Sequence, residues 1–109
     1  MNRSVGKITE EQFEHLMGGH KKTFKFGGET RHVDNLFEGT AREIKSGKLT
    51  KTDFIENQLR KDIMMLRTDG VPVHKIEWHL FDGIDPDIKK VLETLRNTYG
   101  KDKFDFIVY

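Results

Sequence analysis

The chain has 109 residues, with 19 lysines and arginines against 18 aspartates and glutamates, so its formal net charge is +1. This length allows one domain with a single hydrophobic core, and the near balance of charge does not by itself indicate a nucleic-acid partner. The absence of cysteine excludes disulfides and thiolate metal sites, and no apolar run approaches the length of a membrane span.

Helical periodicity, capping residues and turn signals predict an α/β domain with the element order α-β-β-β-α-β-α-β. Residues 1–109 are expected to form a single domain in which 1–8 is a tail. The predicted elements are a helix over 9–17, a strand over 22–26, a hairpin over 30–46, a helix over 51–68, a strand over 73–81, a helix that opens at Asp85-Pro86, and a strand over 104–109.

Two capping boxes support the first two predicted helices. Thr9 is followed three residues later by Gln12, and Thr50 is followed at the same spacing by Asp53. In such a box the first side chain binds the backbone N–H of the third helical residue, whose side chain binds back. The pattern therefore places the two helix starts at Thr9 and Thr50.

The predicted hairpin carries the strongest functional signal. A two-residue loop at Glu38-Gly39 requires paired residue numbers to sum to 77, which places Asp34 opposite Glu43. Lys45 shares the face of Glu43 because side chains alternate with a period of two along a strand. Two acids and a lysine on one patch are what metal-assisted phosphodiester cleavage requires. The alternative is an exposed polar hairpin face with an ordinary contact between Glu43 and Lys45.

A second copy of the acid-x-lysine pattern is rejected as the site. It is Asp87-Ile88-Lys89, which follows Pro86 at a predicted helix start. Asp87 there favours the helix dipole, and no strand holds it in place.

Polar residues interrupt the apolar arc of the longest predicted helix. Gln58 and Asp62 fall inside this arc, and Lys61 borders it, where it could reach a phosphate. Polar residues on a core-facing arc either make local hydrogen bonds or point into a site, and both interpretations stay open.

Basic residues cluster on both sides of the hairpin and would give a positive potential beside the proposed site. They are Lys21, Lys22 and Lys25 before it, and Arg42, Lys45, Lys48 and Lys51 around its exit. An ordinary solvated surface is the alternative interpretation.

The five histidines offer a rival chemistry, although none forms a recognised pair of metal ligands. The hairpin register would pair His32 with Lys45, whereas His79 lies in a predicted core strand. A metal-independent ribonuclease that uses His32 or His79 with Glu43 as acid and base is one alternative function. A non-catalytic binding module, such as an immunity or regulatory domain with Asp34 and Glu43 as surface charges, is another.

Four short runs combine into a more specific spacing over about residues 29–109. They are Arg31-x-Val33-Asp34, Ala41-x-Glu43-x-Lys45-x-Gly47, Gln58-x-x-Lys61-Asp62 and Glu77-Trp78-His79-x-Phe81. Together they resemble the restriction-endonuclease-fold toxin domains at the C-termini of bacterial polymorphic toxins, in the PD-(D/E)xK nuclease superfamily. The resemblance implies that superfamily's αβββαβ core, with a central mixed sheet flanked by helices. Val33 stands where the superfamily's name has proline.

By that resemblance, Asp34 and Glu43 would hold a divalent cation, Mg²⁺ or Mn²⁺, because hard oxygen ligands select such ions. The metal would polarise the scissile phosphate and lower the pKa of a bound water. Lys45 would position that water and stabilise the charge that develops at phosphorus. Gln58 would orient the nucleophile or contact the phosphate.

The resemblance also implies contacts outside the carboxylate pair. Lys61, with Arg42 and Lys48, would bind the nucleic-acid backbone. The first helix of such nucleases often lends a further carboxylate, for which Glu11 and Glu14 are candidates.

A cellular role follows from the same resemblance. The domain would be a metal-dependent nuclease, with DNA favoured over RNA, and the toxic C-terminal part of a larger secreted bacterial competition toxin. It would act in the cytoplasm of the target cell. The producing cell would need an immunity protein that blocks the site, and this partner is expected to be acidic where it meets the lysine clusters.

Overall fold

Five strands form one mixed sheet whose order in space follows their order along the chain. The computed structural model describes residues 8–109, so all but the last residue of the predicted 1–8 tail lies outside the described part. The elements are α1 (Glu10–Met17), β1 (His20–Phe26), β2 (Glu29–Phe37), β3 (Thr40–Lys45), α2 (Asp53–Arg67), β4 (Lys75–Leu80), α3 (Pro86–Tyr99) and β5 (Phe104–Val108).

The sheet has an antiparallel half and a parallel half. β1, β2 and β3 form an antiparallel meander, whereas β3, β4 and β5 run parallel. Parallel neighbours need a crossover, and α2 and α3 supply the two. Both crossovers step in the same direction across the sheet, so the usual right-handed connection places both helices on one face. The predicted element order and an α/β domain with a mixed sheet are confirmed.

The hydrophobic core lies between the sheet and the two crossover helices. Ile76, Trp78 and Leu80 alternate along β4 and are fully buried on this face. The other main core side chains are Phe24, Phe26, Val33, Ala41, Ile55, Leu59, Met65, Ile88, Leu92, Phe104 and Phe106. Within residues 8–109, no helix is both long and apolar enough to cross a membrane.

The single helix α1 covers the opposite face of the sheet. Its predicted capping box is confirmed, since the backbone N of Gln12 donates to Thr9 Oγ1 at 3.0 Å and the backbone N of Thr9 donates to Gln12 Oε1 at 2.9 Å. The buried ring of Phe13 meets the edge of His79, with centroids 4.9 Å apart. One aromatic side chain thus attaches this short helix to β4.

The start of α2 differs from the prediction. Thr52, not Thr50, is the N-cap, and its Oγ1 accepts a hydrogen bond from the backbone N of Ile55 at 3.1 Å. The capping box predicted at Thr50 and Asp53 is therefore wrong, because the helix begins two residues later, at Asp53. Asp85 precedes α3 as predicted, but its carboxylate binds Lys48 at 2.9 Å and makes no capping hydrogen bond.

The hairpin between β2 and β3 turns at Glu38-Gly39 as predicted. Both residues have positive φ, 49° and 81°, as the tight primed turns of hairpins require. The paired positions are Asn35 with Arg42, Leu36 with Ala41, and Phe37 with Thr40, so the register is the predicted one over these three pairs. Pairing stops there, and His32 is correspondingly not opposite Lys45: it lies opposite Thr23 of β1, whose hydroxyl is 2.9 Å from His32 Nδ1.

Replacing Gly19 by alanine is expected to destabilise the fold more than replacing Gly28. Both glycines have similar positive φ, +85° and +78°, so the backbone strain of about 1–2 kcal/mol is shared. Only at Gly19 would the new Cβ overlap Asn35, whose side chain donates to the carbonyl of Gly18 at 2.8 Å and accepts from Arg42 at 3.2 Å. Losing these bonds should add about 1–3 kcal/mol, measurable by urea unfolding. Equal losses in the two variants would contradict this account.

Candidate active site

Asp34 lies where β2 and β3 separate. Its Oδ2 accepts a hydrogen bond from the backbone N of Ile44 at 2.9 Å, in place of a bond between the two backbones. Asp34 and Glu43 are therefore not the directly paired residues that the register predicted. The carboxylate of Asp34 instead binds the backbone amide of Ile44, the residue between Glu43 and Lys45. This bond keeps Asp34 close to Glu43 and to Lys45.

The electrostatic surroundings of Asp34 favour its protonated form. Burial and repulsion from Glu43 raise the pKa of Asp34 to about 7, although the hydrogen bond from Ile44 acts in the opposite direction. Glu10 raises this pKa further, whereas the ammonium group of Lys45 lowers it. The positive charge near Asp34 is thus too small to offset its burial and the repulsion from Glu43.

Glu43 is buried and accepts hydrogen bonds at both oxygens. Oε1 accepts from Arg31 Nη2 at 2.9 Å. Oε2 accepts from Gln58 Nε2 at 3.2 Å and lies 3.0 Å from Lys45 Nζ. Lys45 Nζ also donates to Gln58 Oε1 at 2.9 Å, which closes a three-membered ring of hydrogen bonds. Three of the four predicted catalytic residues thus touch one another.

The ammonium group of Lys45 is held among aromatic rings. Its Nζ lies 5.5 Å from the ring centre of buried Trp78 and 5.6 Å from that of exposed Phe54. The face of an aromatic ring attracts a cation, so these two rings help to hold the ammonium group in place. Its side chain remains 19% exposed, so it can meet a bound molecule.

Arg31 connects this ring to a second buried carboxylate, Asp62. Arg31 Nε donates to Asp62 Oδ1 at 2.7 Å, and Trp78 Nε1 donates to Asp62 Oδ2 at 2.9 Å. Burial raises the pKa of Asp62, and Arg31 opposes this rise. Asp62 and Gln58, which interrupt the helical arc, both make hydrogen bonds within this network, and their part in a functional site stays a prediction. The buried roles of Arg31 and Trp78 were not predicted, although both residues lie in the motif runs.

The network balances its charges without Asp34. Arg31 and Lys45 carry two positive charges, and Glu43 and Asp62 carry two negative ones. Ionisation of Asp34 adds a negative charge with no matching cation. Two oxygen-donor carboxylates with an unbalanced charge suit a hard divalent cation such as Mg²⁺ or Mn²⁺. Within residues 8–109, however, no group of three or more acidic or histidine side chains is arranged to hold a metal ion.

Within α1, the charge of Glu10 raises the pKa of Asp34, whereas the two predicted candidates, Glu11 and Glu14, are exposed. Glu10 also pairs with Lys21 at 3.3 Å. A surface cleft of about 390 Å³ lies beside these groups; its lining residues are Ile8, Thr9, Glu10, Glu11, Lys21, Ile44 and Ser46. Glu10 directly follows the cap residue Thr9 and was not among the predicted candidates.

The three predicted substrate-binding residues lie apart from one another. Lys61 donates from Nζ to the backbone carbonyl of Thr30 at 2.9 Å, and Lys48 is exposed and paired with Asp85. Arg42 is buried on the α1 face, opposite Glu43, where it donates to the carbonyl of Met17 at 3.1 Å. The structure therefore does not bring Arg42 to the carboxylate pair.

His79 also lies on the α1 face, across the sheet from Glu43. Alternation along β4 buries Trp78 with the network and turns His79 toward Phe13. His79 is hydrogen-bonded to Glu77 and Tyr109, so the structure brings neither His79 nor the exposed His32 together with Glu43.

Comparison of the chain with protein-family models, with curated proteins and with solved structures found no match in any of the three.

Replacing Asp62 by asparagine is expected to lower the free energy of unfolding by about 3–5 kcal/mol, because it leaves Arg31 with one buried counter-charge in place of two. Urea unfolding followed by circular dichroism measures this loss. The matched control is Asp69→Asn at an exposed turn residue, where the change should stay within about 0.5 kcal/mol. A loss below about 1 kcal/mol in Asp62→Asn would show that the buried charge pair is not required.

Asp34 should make the protein less stable as the pH rises. Its folded-state pKa of about 7 exceeds the ordinary value of 3.8, so between these values the folded form keeps a proton that the unfolded form has lost. The free energy of unfolding therefore falls as the pH rises through this window. Asp34→Asn removes this titration and can still accept the bond from Ile44, so its stability relative to the parent should increase from about pH 4 to pH 8. Urea unfolding in EDTA measures the difference, and a constant or decreasing difference would refute the assignment.

Proposed function

We propose that this domain is a metal-dependent phosphodiesterase that cleaves nucleic acid, DNA in preference to RNA, with a PD-(D/E)xK site. The observation that carries the proposal is the arrangement of Asp34 and Lys45 on either side of Glu43: Asp34 binds the Ile44 amide, and Lys45 binds Glu43 and Gln58. The order of elements from α1 to β4 agrees with the αβββαβ core of that superfamily.

Asp34 and Glu43 would hold the divalent cation, Mg²⁺ or Mn²⁺. Such an ion supplies a Lewis acid that activates water and neutralises charge on a phosphate. Its binding would also supply the positive charge that an ionised Asp34 lacks. Added Mg²⁺ should therefore raise the unfolding midpoint of the parent more than that of Asp34→Asn.

The remaining residues of the network would hold the Glu43 carboxylate in place and polarise the bound phosphate or the attacking water. Arg31 fixes one oxygen of Glu43, so the carboxylate cannot rotate freely. Lys45 is the partly exposed donor that can reach a phosphate oxygen or an attacking water, and Gln58 holds Lys45 in place. Donors fixed before substrate binds need not reorganise during the reaction, which is the main source of electrostatic catalysis.

The domain would serve as the toxic C-terminal part of a secreted bacterial competition toxin and act in the cytoplasm of the target cell. This role implies a cognate immunity protein in the producing cell. Lys22 and Lys25 are exposed on opposite faces of the edge strand β1 and have no ion pair within residues 8–109, so each offers a positive charge to an acidic partner.

Cleavage of plasmid DNA and of total RNA, each with Mg²⁺ or with EDTA, tests the activity. We expect Mg²⁺-dependent cleavage by the parent and a loss of about 100-fold or more in Lys45→Met, by analogy with the removal of one preorganised donor. Lys90→Met, at an exposed residue of α3, is the control and should keep full activity.

Three results would overturn the proposal. Full activity of a folded Lys45→Met protein would remove Lys45 from the mechanism. Cleavage that survives EDTA would indicate metal-independent ribonuclease chemistry. The absence of any cleavage by the folded parent would favour a non-catalytic binding module.

A further inference from the structure

Phe54 is an exposed aromatic side chain in the first turn of α2. The residue is 66% exposed, whereas Ile55 and Leu59, which face the core from the same helix, are buried. The first turn does not require an aromatic ring, because the Thr52 hydroxyl caps the helix and phenylalanine is not among the strong helix formers. The helix itself therefore gives no reason for a large apolar surface at this position.

One face of the Phe54 ring lies against the site, and the other is open. Lys45 Nζ lies over the ring at 5.6 Å from its centre. Within residues 8–109, no other aromatic ring packs against Phe54. With 66% of the residue exposed, the face that points away from the ammonium group is free to meet another flat ring.

Phe54 stands on the same side of the sheet as the buried network. The ammonium group of Lys45 meets Glu43 and Gln58 there, and the ring of Trp78 lies 5.5 Å from it. Trp78 and Glu43 are buried, so Phe54 borders the side on which the ammonium group meets solvent. A phosphate that reaches Lys45 from solvent therefore comes to lie beside the Phe54 ring.

The chemistry of a nucleotide fits this pair of neighbours. Its phosphate and its base are joined through one sugar, so a phosphate at Lys45 places a base within reach of the Phe54 ring. Every nucleobase has a π-face that stacks on an aromatic side chain, whatever the sequence. In a duplex both faces of each base are already stacked on neighbouring bases, so only an unpaired or flipped-out nucleotide can offer a face to Phe54.

We propose that Phe54 is a stacking platform for an unpaired nucleobase next to the phosphate at Lys45. The preferred substrate is then single-stranded nucleic acid or an unpaired position within a duplex. This inference rests on the proposed function and adds a substrate class to it.

Fluorescence anisotropy with three labelled probes tests the platform. The probes are a single-stranded oligonucleotide, a strand of the same length in which every nucleotide is abasic, and a blunt duplex. The abasic strand keeps the phosphates that Lys45 would bind and lacks the bases. All proteins carry Asp34→Asn, so that no strand is cut during the measurement.

Three variants are compared on this background. Phe54→Ala removes the ring, whereas Phe54→Trp keeps a stacking surface at the same position. Leu16→Ala is the matched control, because Leu16 is another large exposed apolar residue, 70% exposed, and lies on α1 at the opposite face of the sheet.

We expect Phe54→Ala to weaken binding of the single strand by roughly 5- to 150-fold, the range for loss of one stacked base. Binding of the abasic strand and of the duplex should stay nearly unchanged, and Phe54→Trp and Leu16→Ala should bind all three probes as the background protein does. Unchanged single-strand binding by Phe54→Ala would overturn the platform. An equal loss for the abasic strand would also overturn it, because Phe54 would then act only through the charge of Lys45.

A separate assay distinguishes this failure from failure of the proposed function. Phe54→Ala with Asp34 intact is incubated with single-stranded DNA, plasmid DNA and Mg²⁺ beside the unmodified chain. Metal-dependent cleavage by the unmodified chain, together with unaltered single-strand binding by Phe54→Ala, would overturn the platform alone. If the unmodified chain neither cuts nor binds nucleic acid, the nuclease and the platform are both refuted.

Discussion

The guanidinium group of Arg31 is the interaction on which the rest of the structure depends. It binds Glu43 on β3 and Asp62 on α2, and so joins the hairpin to the crossover helix inside the core. Two carboxylates could not stay ionised at this depth without a cation, because burial alone would protonate or expel them. With Arg31 in place, Glu43 has a fixed position and Lys45 is free to pair with its other oxygen. The same ion pairs of Arg31 therefore hold the hairpin against α2 and fix the position of Glu43 in the site.

The position of this network in the sheet follows from topology. β3 belongs both to the antiparallel meander and to the parallel half, so it is the strand at which the two hydrogen-bonding patterns meet. The side chain of Asp34 satisfies the amide of Ile44 where the antiparallel partner departs. Beyond that point β2 and β3 share no paired residues, and the side chains of Asp34 and Lys45 lie there partly exposed.

Much of the fold could be predicted from local sequence signals, because each depends on a few neighbouring residues. The capping pair Thr9 and Gln12 and the turn at Glu38-Gly39 are examples. The cap at Thr52 was missed because Thr50 fits the same pattern, and only tertiary packing decides between them. Counting residues from the turn predicted three pairs correctly but could not reveal where pairing ends. That point depends on a side chain, Asp34, that competes with the backbone for a hydrogen bond.

The site was predictable to the extent that strand alternation governs it. Glu43 and Lys45 share a face as expected, and the interrupted arc of α2 supplied Gln58. Alternation also places Arg42 on the opposite face of the sheet. The prediction that Arg42 lies beside the carboxylates did not take this alternation into account.

The hydrogen bond between Asp34 and Ile44 has a practical consequence for making this protein. Any residue at position 34 that lacks an acceptor would leave a strand amide unsatisfied, so loss of charge and loss of structure would be confounded. Asparagine keeps an acceptor and differs by the exchange of one oxygen for an amide nitrogen. If the proposed function is correct, Asp34→Asn would remove toxicity and leave the protein folded. The domain could then be expressed in quantity in cells that contain no immunity protein.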